Sequence, residues 1–152
     1  MLSIQDTTGQ NGGKRHYMRH PSAMPIACKP LAKATPPNLS DLYNVSLGGL
    51  SFLTNREYRK GDALEVSFPS LRRDEVLHGV VVWIQDMGEH PAGRYACGVQ
   101  FSDNNTHFRA RLVEQICHIE AYRLAQMKYG RALTSPQASE EWVTKFAHRF
   151  QR

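Results

Sequence analysis

The chain has 152 residues, 41 % of them apolar and 22 % charged, which fits about one globular domain with a core of its own and no need of disulfide or metal staples. Its longest apolar run, Gly79 to Ile84, is far too short to cross a bilayer, and the absence of an apolar block behind the first basic residues argues against a signal peptide. The net charge of +5 is uneven: residues 1–37 hold five basic groups (Lys14, Arg15, Arg19, Lys29, Lys33) against one acid, Asp6. A positive field confined to the N-terminal quarter suits a small or local anion, whereas a nucleic-acid groove spreads its basic residues over the domain.

Met1 to Gly13 is polar and lacks apolar periodicity, which predicts a mobile tail. Lys14 to His20 is a basic linker that stops at Pro21 and leads into the first strand. Met24, Ile26 and Cys28 alternate as a strand, with Pro25 and Pro30 confining it to a sheet edge or giving it a bulge. Leu39 to Leu47 and Leu50 to Thr54 form a strand pair around Ser46-Leu47-Gly48-Gly49. A period of two puts Asn44 and Ser46 on one face and Tyr43, Val45 and Leu47 on the other. The glycine pair serves either a positive φ or a close approach to the backbone.

Lys60-Gly61-Asp62 marks a turn, and Leu64, Val66 and Phe68 alternate in a fourth strand. Pro69 to Asp74 reads as a basic loop. Val76 to Gln85 is the most hydrophobic strand, with Val80, Val82 and Ile84 on one face and Val81 and Trp83 on the other. Asp86 to Gly93 is a Gly/Pro loop, and Tyr95, Cys97, Val99 and Phe101 alternate in a sixth strand. Six short strands without an intervening helix predict an antiparallel barrel or sandwich.

A helical period then takes over. Asn104 or Asn105 caps a helix carrying Phe108, Leu112, Val113, Ile116 and Ile119, and Gly130 ends it. Ser135 is expected as the N-cap of a second helix, with Pro136 at its first position. Trp142, Val143, Phe146, Ala147 and Phe150 form its apolar stripe. Both stripes are expected to pack on the barrel or on each other, with a partner surface as the alternative.

No catalytic constellation emerges. The histidines are scattered without metal spacing, Ser46 lacks a Gly-x-Ser-x-Gly setting, and the glycines match neither phosphate-loop pattern. Cys28, Cys97 and Cys117 lie far apart, which suits reduced, mostly buried thiols in a cytoplasmic protein. The chain is therefore expected not to be an enzyme and to hold neither metal nor cofactor.

Two motifs remain. Arg15-His16-Tyr17-Met18-Arg19 contains an Arg-x-x-x-Arg pair, of which 13 arginines in 152 residues produce about one by chance. Asn44-Val45-Ser46-Leu47-Gly48-Gly49 has the form Asp/Asn-x-Ser-x-x-Gly, expected by chance roughly 0.06 times in this composition. The first is uninformative alone, but its order and the strand-turn-strand setting of the second give the pair weight.

Together the motifs and the six-strand pattern, from about Lys14 to Phe101, resemble the PilZ domain, a bacterial receptor module for cyclic di-GMP; Gly98-Val99-Gln100-Phe101 is similar to that family's closing strand. The resemblance implies a six-stranded antiparallel β-barrel followed here by two α-helices. It divides the chain into a tail (1–13), a barrel with its Arg-x-x-x-Arg arm (14–103) and a helical extension (104–152). It also implies a ligand site formed by Arg15, Arg19, Asn44, Ser46 and Gly49, with Lys14 and Gly48 as further candidates. A basic residue at Lys14 accompanies binding of a ligand dimer in some relatives, so one or two molecules of cyclic di-GMP per protomer are open. Binding would order the arm and signal to a protein partner of unidentified nature, without a membrane. Asn44 and Ser46 are then expected to face solvent beside the root of the arm. The alternative is a small barrel binding single-stranded nucleic acid through Leu71-Arg72-Arg73 and exposed aromatics.

Overall fold

Period-two apolar runs become strands where both neighbours offer a hydrogen-bonding partner, and here the ring of partners is complete. In a computed structural model describing residues 18–32, 36–71, 76–102 and 106–146, seven strands form: β1 (His20–Pro21), β2 (Pro25–Pro30), β3 (Asn38–Val45), β4 (Gly49–Thr54), β5 (Ala63–Ser67), β6 (Leu77–Asp86) and β7 (Tyr95–Phe101). All pairings are antiparallel, and the order β2-β5-β6-β7-β4-β3 closes back on β2 as a six-stranded barrel. β1 is a short addition along the end of β3, with His20 opposite Val45 and Pro21 opposite Asn44. The Ser22 N–H donates to the Tyr43 carbonyl (3.2 Å) and the Leu42 N–H to the Met24 carbonyl (2.9 Å). Residues 20–30 thus follow β3 as one interrupted strand.

Closure corrects the expectation of an edge strand. β2 pairs on both sides, and its prolines occupy its first and last positions, opposite Asp41 and Leu64, where a missing N–H interrupts the ladder least. A barrel has no edge to which Pro25 and Pro30 could confine it.

Two bulges correct the predicted faces. β3 pairs Leu42 with Phe52 but Asn44 with Ser51, so Tyr43 is an extra residue. Leu42 and Val45, three apart, are both buried in the interior, and Tyr43 joins Leu53 and Ala96 outside the barrel, on the face opposite Val45. In β6 the register slips between Val81 and Trp83. Val81 and Ile84 then point inward, while Trp83 lies outside with Leu53 and Ala96. A bulge adds one residue to one strand and reverses the alternation beyond it.

The interior is filled by Met24, Ile26, Leu42, Val45, Leu50, Phe52, Leu64, Val66, Leu77 and Val81, and the helices complete it. Helix α1 (Thr106–Lys128) contributes Leu112, Val113, Ile116 and Ile119, and α2 (Ser135–Phe146) contributes Ala138, Trp142 and Val143. The predicted stripes are therefore core. Asn104, Asn105, Ala147 and Phe150 lie outside the described residues. The Ser139 hydroxyl donates to the Ser70 carbonyl (3.2 Å), tying α2 to a 3-10 turn at Pro69–Leu71.

The helix ends follow local chemistry. Gly130, at φ 85°, closes α1: its N–H donates to the Met127 carbonyl (3.0 Å) and that of Arg131 to the Gln126 carbonyl (2.9 Å), a Schellman pattern. The N-cap of α2 is Thr134 rather than Ser135. The Thr134 hydroxyl accepts from the Gln137 N–H (3.2 Å) and the Gln137 side chain accepts from the Thr134 N–H (2.9 Å), a capping box that satisfies two donors at once.

Between the helices, Glu141 takes both Arg131 guanidinium nitrogens (2.6 and 3.1 Å) and the Tyr122 hydroxyl (2.7 Å). These bonds, Arg131 first, hold its carboxyl down at about 2, well below the ordinary 4.5. A depressed carboxylate stabilises the fold above its ordinary value, and that contribution is lost as pH falls toward the folded value. Thermal unfolding of wild type should therefore lose stability between pH 4.5 and 2 by more than Glu141→Gln does, and parallel pH profiles would refute the assignment.

A Cβ built on Gly98 would overlap the pyrrole part of the Trp83 indole. Gly98→Ala should displace that ring, destabilise the protein by about 1–3 kcal/mol in urea and change its tryptophan fluorescence; an unchanged midpoint would contradict the packing.

Candidate functional site

The two motifs lie 25 residues apart in sequence and meet in space. The Arg19 guanidinium donates from Nη1 to Asn44 Oδ1 at 3.1 Å. β1 makes this contact available, because pairing His20 with Val45 and Pro21 with Asn44 leaves the preceding residue two positions along β3 from Asn44, within reach of its side chain. The bulge at Tyr43 does the rest: it keeps Asn44 off the interior face, opposite Ser51 of β4. The Ser51 hydroxyl donates to the same Oδ1 at 2.8 Å.

Asn44 and Ser46 do not face open solvent as expected: they are 4 % and 5 % exposed. Neither is part of the hydrophobic core; Asn44 is engaged by Arg19 and Ser51, and Ser46 is folded into its own turn. The Ser46 hydroxyl donates to the Gly49 carbonyl (3.3 Å) and accepts from the Gly48 N–H (3.2 Å), while its N–H donates to the Gly49 carbonyl (2.8 Å). A serine side chain that bonds neighbouring backbone fixes a turn in this way.

The glycine pair is used for proximity, since neither Gly48 nor Gly49 takes a positive φ. A Cβ on Gly49 would overlap the Val99 carbonyl of β7. The Gly48 carbonyl accepts from the Phe101 N–H (3.0 Å), binding the motif turn to the end of β7. Lys14 and Arg15 lie outside the described residues, as do Arg72 and Arg73 of the alternative site, whose neighbour Leu71 is buried.

Two residues not singled out from the sequence belong beside the motif. Successive pairings place Asn44 opposite Ser51, Ser51 opposite Gly98, and Gly98 opposite Trp83, so one row crosses four strands on the outer surface. Ser51 holds Asn44, and the half-buried Trp83 indole lies over Gly98. A tryptophan opposite a glycine is the signal that was available, but the strand pairing needed to use it is a long-range property.

The row presents donors and an aromatic face. A guanidinium fork suits phosphate oxygens or the O6/N7 edge of guanine, and an indole suits a stacked base. Burial pushes the thiols of Cys28 and Cys97 up to about 12, so both are protonated at neutral pH and poor nucleophiles. Among the described residues no group of three or more His, Cys, Asp or Glu side chains could hold a metal ion, and no helix is long and apolar enough to cross a membrane.

No curated protein matches the chain significantly. Among solved structures it is similar to YcgR from Escherichia coli in complex with c-di-GMP, at 20 % identity and a TM-score of 0.54 over 78 % of this chain and 51 % of that one. It is also similar to the PilZ domain of YcgR with c-di-GMP, at 19 % identity and a TM-score of 0.52 over 74 % and 98 %. A third is the inhibitor of motility MotI from Bacillus subtilis, at 15 % identity and a TM-score of 0.53 over 71 % and 51 %. The chain spans about half the length of full YcgR and of MotI, and at these identities the likeness is one of fold. The family model of the PilZ domain matches residues 13–117, through the barrel and into α1: the chain belongs to the PilZ domain family.

Proposed function

We propose that this PilZ domain is a non-enzymatic receptor for cyclic di-GMP, in which the N-terminal arm folds over the ligand and the change is passed to a protein partner. The observation that carries the reading is the Arg19–Asn44 hydrogen bond, which joins the two motifs at one point of the barrel surface. The ligand has two phosphates and two guanines. Arg15 and Arg19 supply guanidinium forks for them, with Lys14 adding charge at the arm. Asn44 offers a base contact, and the Ser46-Gly48-Gly49 turn forms a rigid wall whose outer backbone carries little bulk. Trp83 supplies a stacking surface in the same row. Structural neighbours whose ligand is c-di-GMP, YcgR among them, share the fold.

A route to the helices starts at the same turn. Phe101 donates its N–H to the Gly48 carbonyl, and its ring lies under the Arg109 guanidinium of α1 at 5.5 Å. Movement of the turn would thus reach the start of α1, whose buried face is continuous with the barrel core. The helical hairpin is the proposed readout surface.

Calorimetric titration with cyclic di-GMP should yield one or two molecules bound per protomer. Arg15→Ala or Arg19→Ala should each weaken binding by about 1–3 kcal/mol, roughly ten- to a hundredfold; mutant and wild-type isotherms that coincide would sink the proposal. A single-stranded oligonucleotide serves as the comparison, and salt-sensitive binding of it without a response to the cyclic dinucleotide would favour the nucleic-acid alternative.

If the hairpin is the readout, hydrogen exchange over residues 106–119 should slow or quicken on addition of cyclic di-GMP to wild type and stay constant in Arg19→Ala. An exchange change confined to the barrel would place the readout elsewhere.

A further inference from the structure

Independently of any ligand, we infer that the outer face of α1 is a docking surface for a second copy of this chain. The two α1 helices pack antiparallel across a twofold axis at Ala121, with Glu114 of each copy opposite Lys128 of the other.

α1 is longer than its contact with the core requires. Its last buried residue is Ile119, yet the helix runs on to Lys128, roughly 14 Å further at 1.5 Å per residue. At about 100° per residue, the buried Leu112, Ile116 and Ile119 mark the side turned to the barrel. Glu114, Cys117, Ala121, Leu124, Ala125 and Lys128 fall on the opposite side, within an arc of about 100° by the same spacing. Cys117 is half-buried and the other five are exposed, Leu124 to 47 %. α2 approaches from the flank, where Trp142 stacks on His118 (6.0 Å between centroids) and Phe146 meets Tyr122. A helix face that meets only water carries polar residues. Here the middle four are apolar and only the two ends are charged.

The charges identify the occupant. Glu114 and Lys128 stand equally far from Ala121 on either side, so reversing a second helix about Ala121 brings each against the opposite charge. The same reversal sets Cys117 against Ala125 and His118 against Leu124. The face is thus complementary to itself, which a twofold contact requires. A parallel pair would instead oppose Glu114 to Glu114 and Lys128 to Lys128, which is repulsive. Within one chain the Glu114 carboxylate lies 4.0 Å from His118 Nε2 and is 56 % exposed, open to a second cation. Alanine at the axis lets the helices approach to about 8 Å, the near end of the usual range. The barrels do not collide, because the buried side of each helix points away from the axis.

Sedimentation equilibrium of the full chain without ligand, from micromolar to near-millimolar concentration, should show a species at twice the chain's 17.2 kDa. Lys128→Glu removes two ion pairs and adds two repulsions, and should weaken the dimer about tenfold or more. Glu114→Lys/Lys128→Glu should restore it. A wild type that stays monomeric overturns the inference and leaves the face to a different protein. A dimer indifferent to Lys128→Glu, or a folded double variant that does not recover, overturns the contact. Disulfide trapping tests the axis with the charges untouched, and decides if the double variant unfolds. Cys117→Ser/Ala121→Cys should crosslink on mild oxidation. Wild type should not, because its two Cys117 residues stand about 12 Å apart along the pair, beyond the reach of a disulfide. Failure of the Ala121→Cys protein to crosslink, or ready crosslinking of wild type through Cys117, overturns the inference.

Discussion

The contact between the two motifs depends on one extra residue in β3. The closed barrel demands that Leu42 and Val45 both face inward, and residues three apart cannot do so in a regular strand. Inserting Tyr43 as a bulge meets that demand and leaves two consecutive residues, Tyr43 and Asn44, off the interior. Asn44 then lies level with Ser51 and within reach of Arg19. A second bulge, at Val82, does the same in β6: Val81 and Ile84 pack inward and Trp83 turns out over Gly98. The two irregularities align one outer row from Asn44 to the indole. Bulges that re-aim side chains beside functional sites are a recurrent device.

Closure and the helices make one end of the barrel special. β1 pairs with the end of β3, the motif turn joins β3 to β4, and β7 leads toward α1, all at that end. The Gly48–Phe101 backbone bond and the guanidinium of Arg109 over the Phe101 ring tie these pieces together. The helices share the interior with the strands, so they are not an appendage on an already finished barrel. The motif turn and the helical surface are therefore held in place by the same core. The Glu141 network works differently: it sits between α1 and α2 and fixes the hairpin, leaving the motif face to the barrel.

Much of the local architecture was legible in the residues. Alternation at Met24-Ile26-Cys28, Leu64-Val66 and Tyr95-Cys97-Val99 located strands, because side-chain period is a local property. Gly130 marked the end of α1 for a similarly local reason, its tolerance of the left-handed conformation. Thr134 is obscured in the sequence because Ser135-Pro136 imitates a cap, and only the reciprocal bonds with Gln137 distinguish the two. The faces of β3 and β6 depart from simple alternation beyond Tyr43 and Val82, and a bulge leaves no trace in hydrophobic period when the residue concerned can sit on either surface. Pro25 and Pro30 suggested an edge, and closure of the ring removed it.

The sequence by itself determined the six barrel strands and the two helices, the concentration of positive charge before the first strand, and the paired Arg-x-x-x-Arg and Asn-x-Ser-x-x-Gly motifs. These are properties of neighbouring residues, set by side-chain chemistry and spacing. Only the tertiary structure decided that Arg19 meets Asn44, that Ser46 spends its hydroxyl on its own turn, and that Ser51 and Trp83 share the row with Asn44. Those outcomes rest on register between strands distant in the chain. Register is set by which residues the closed core can bury, and that is a condition on the whole barrel at once.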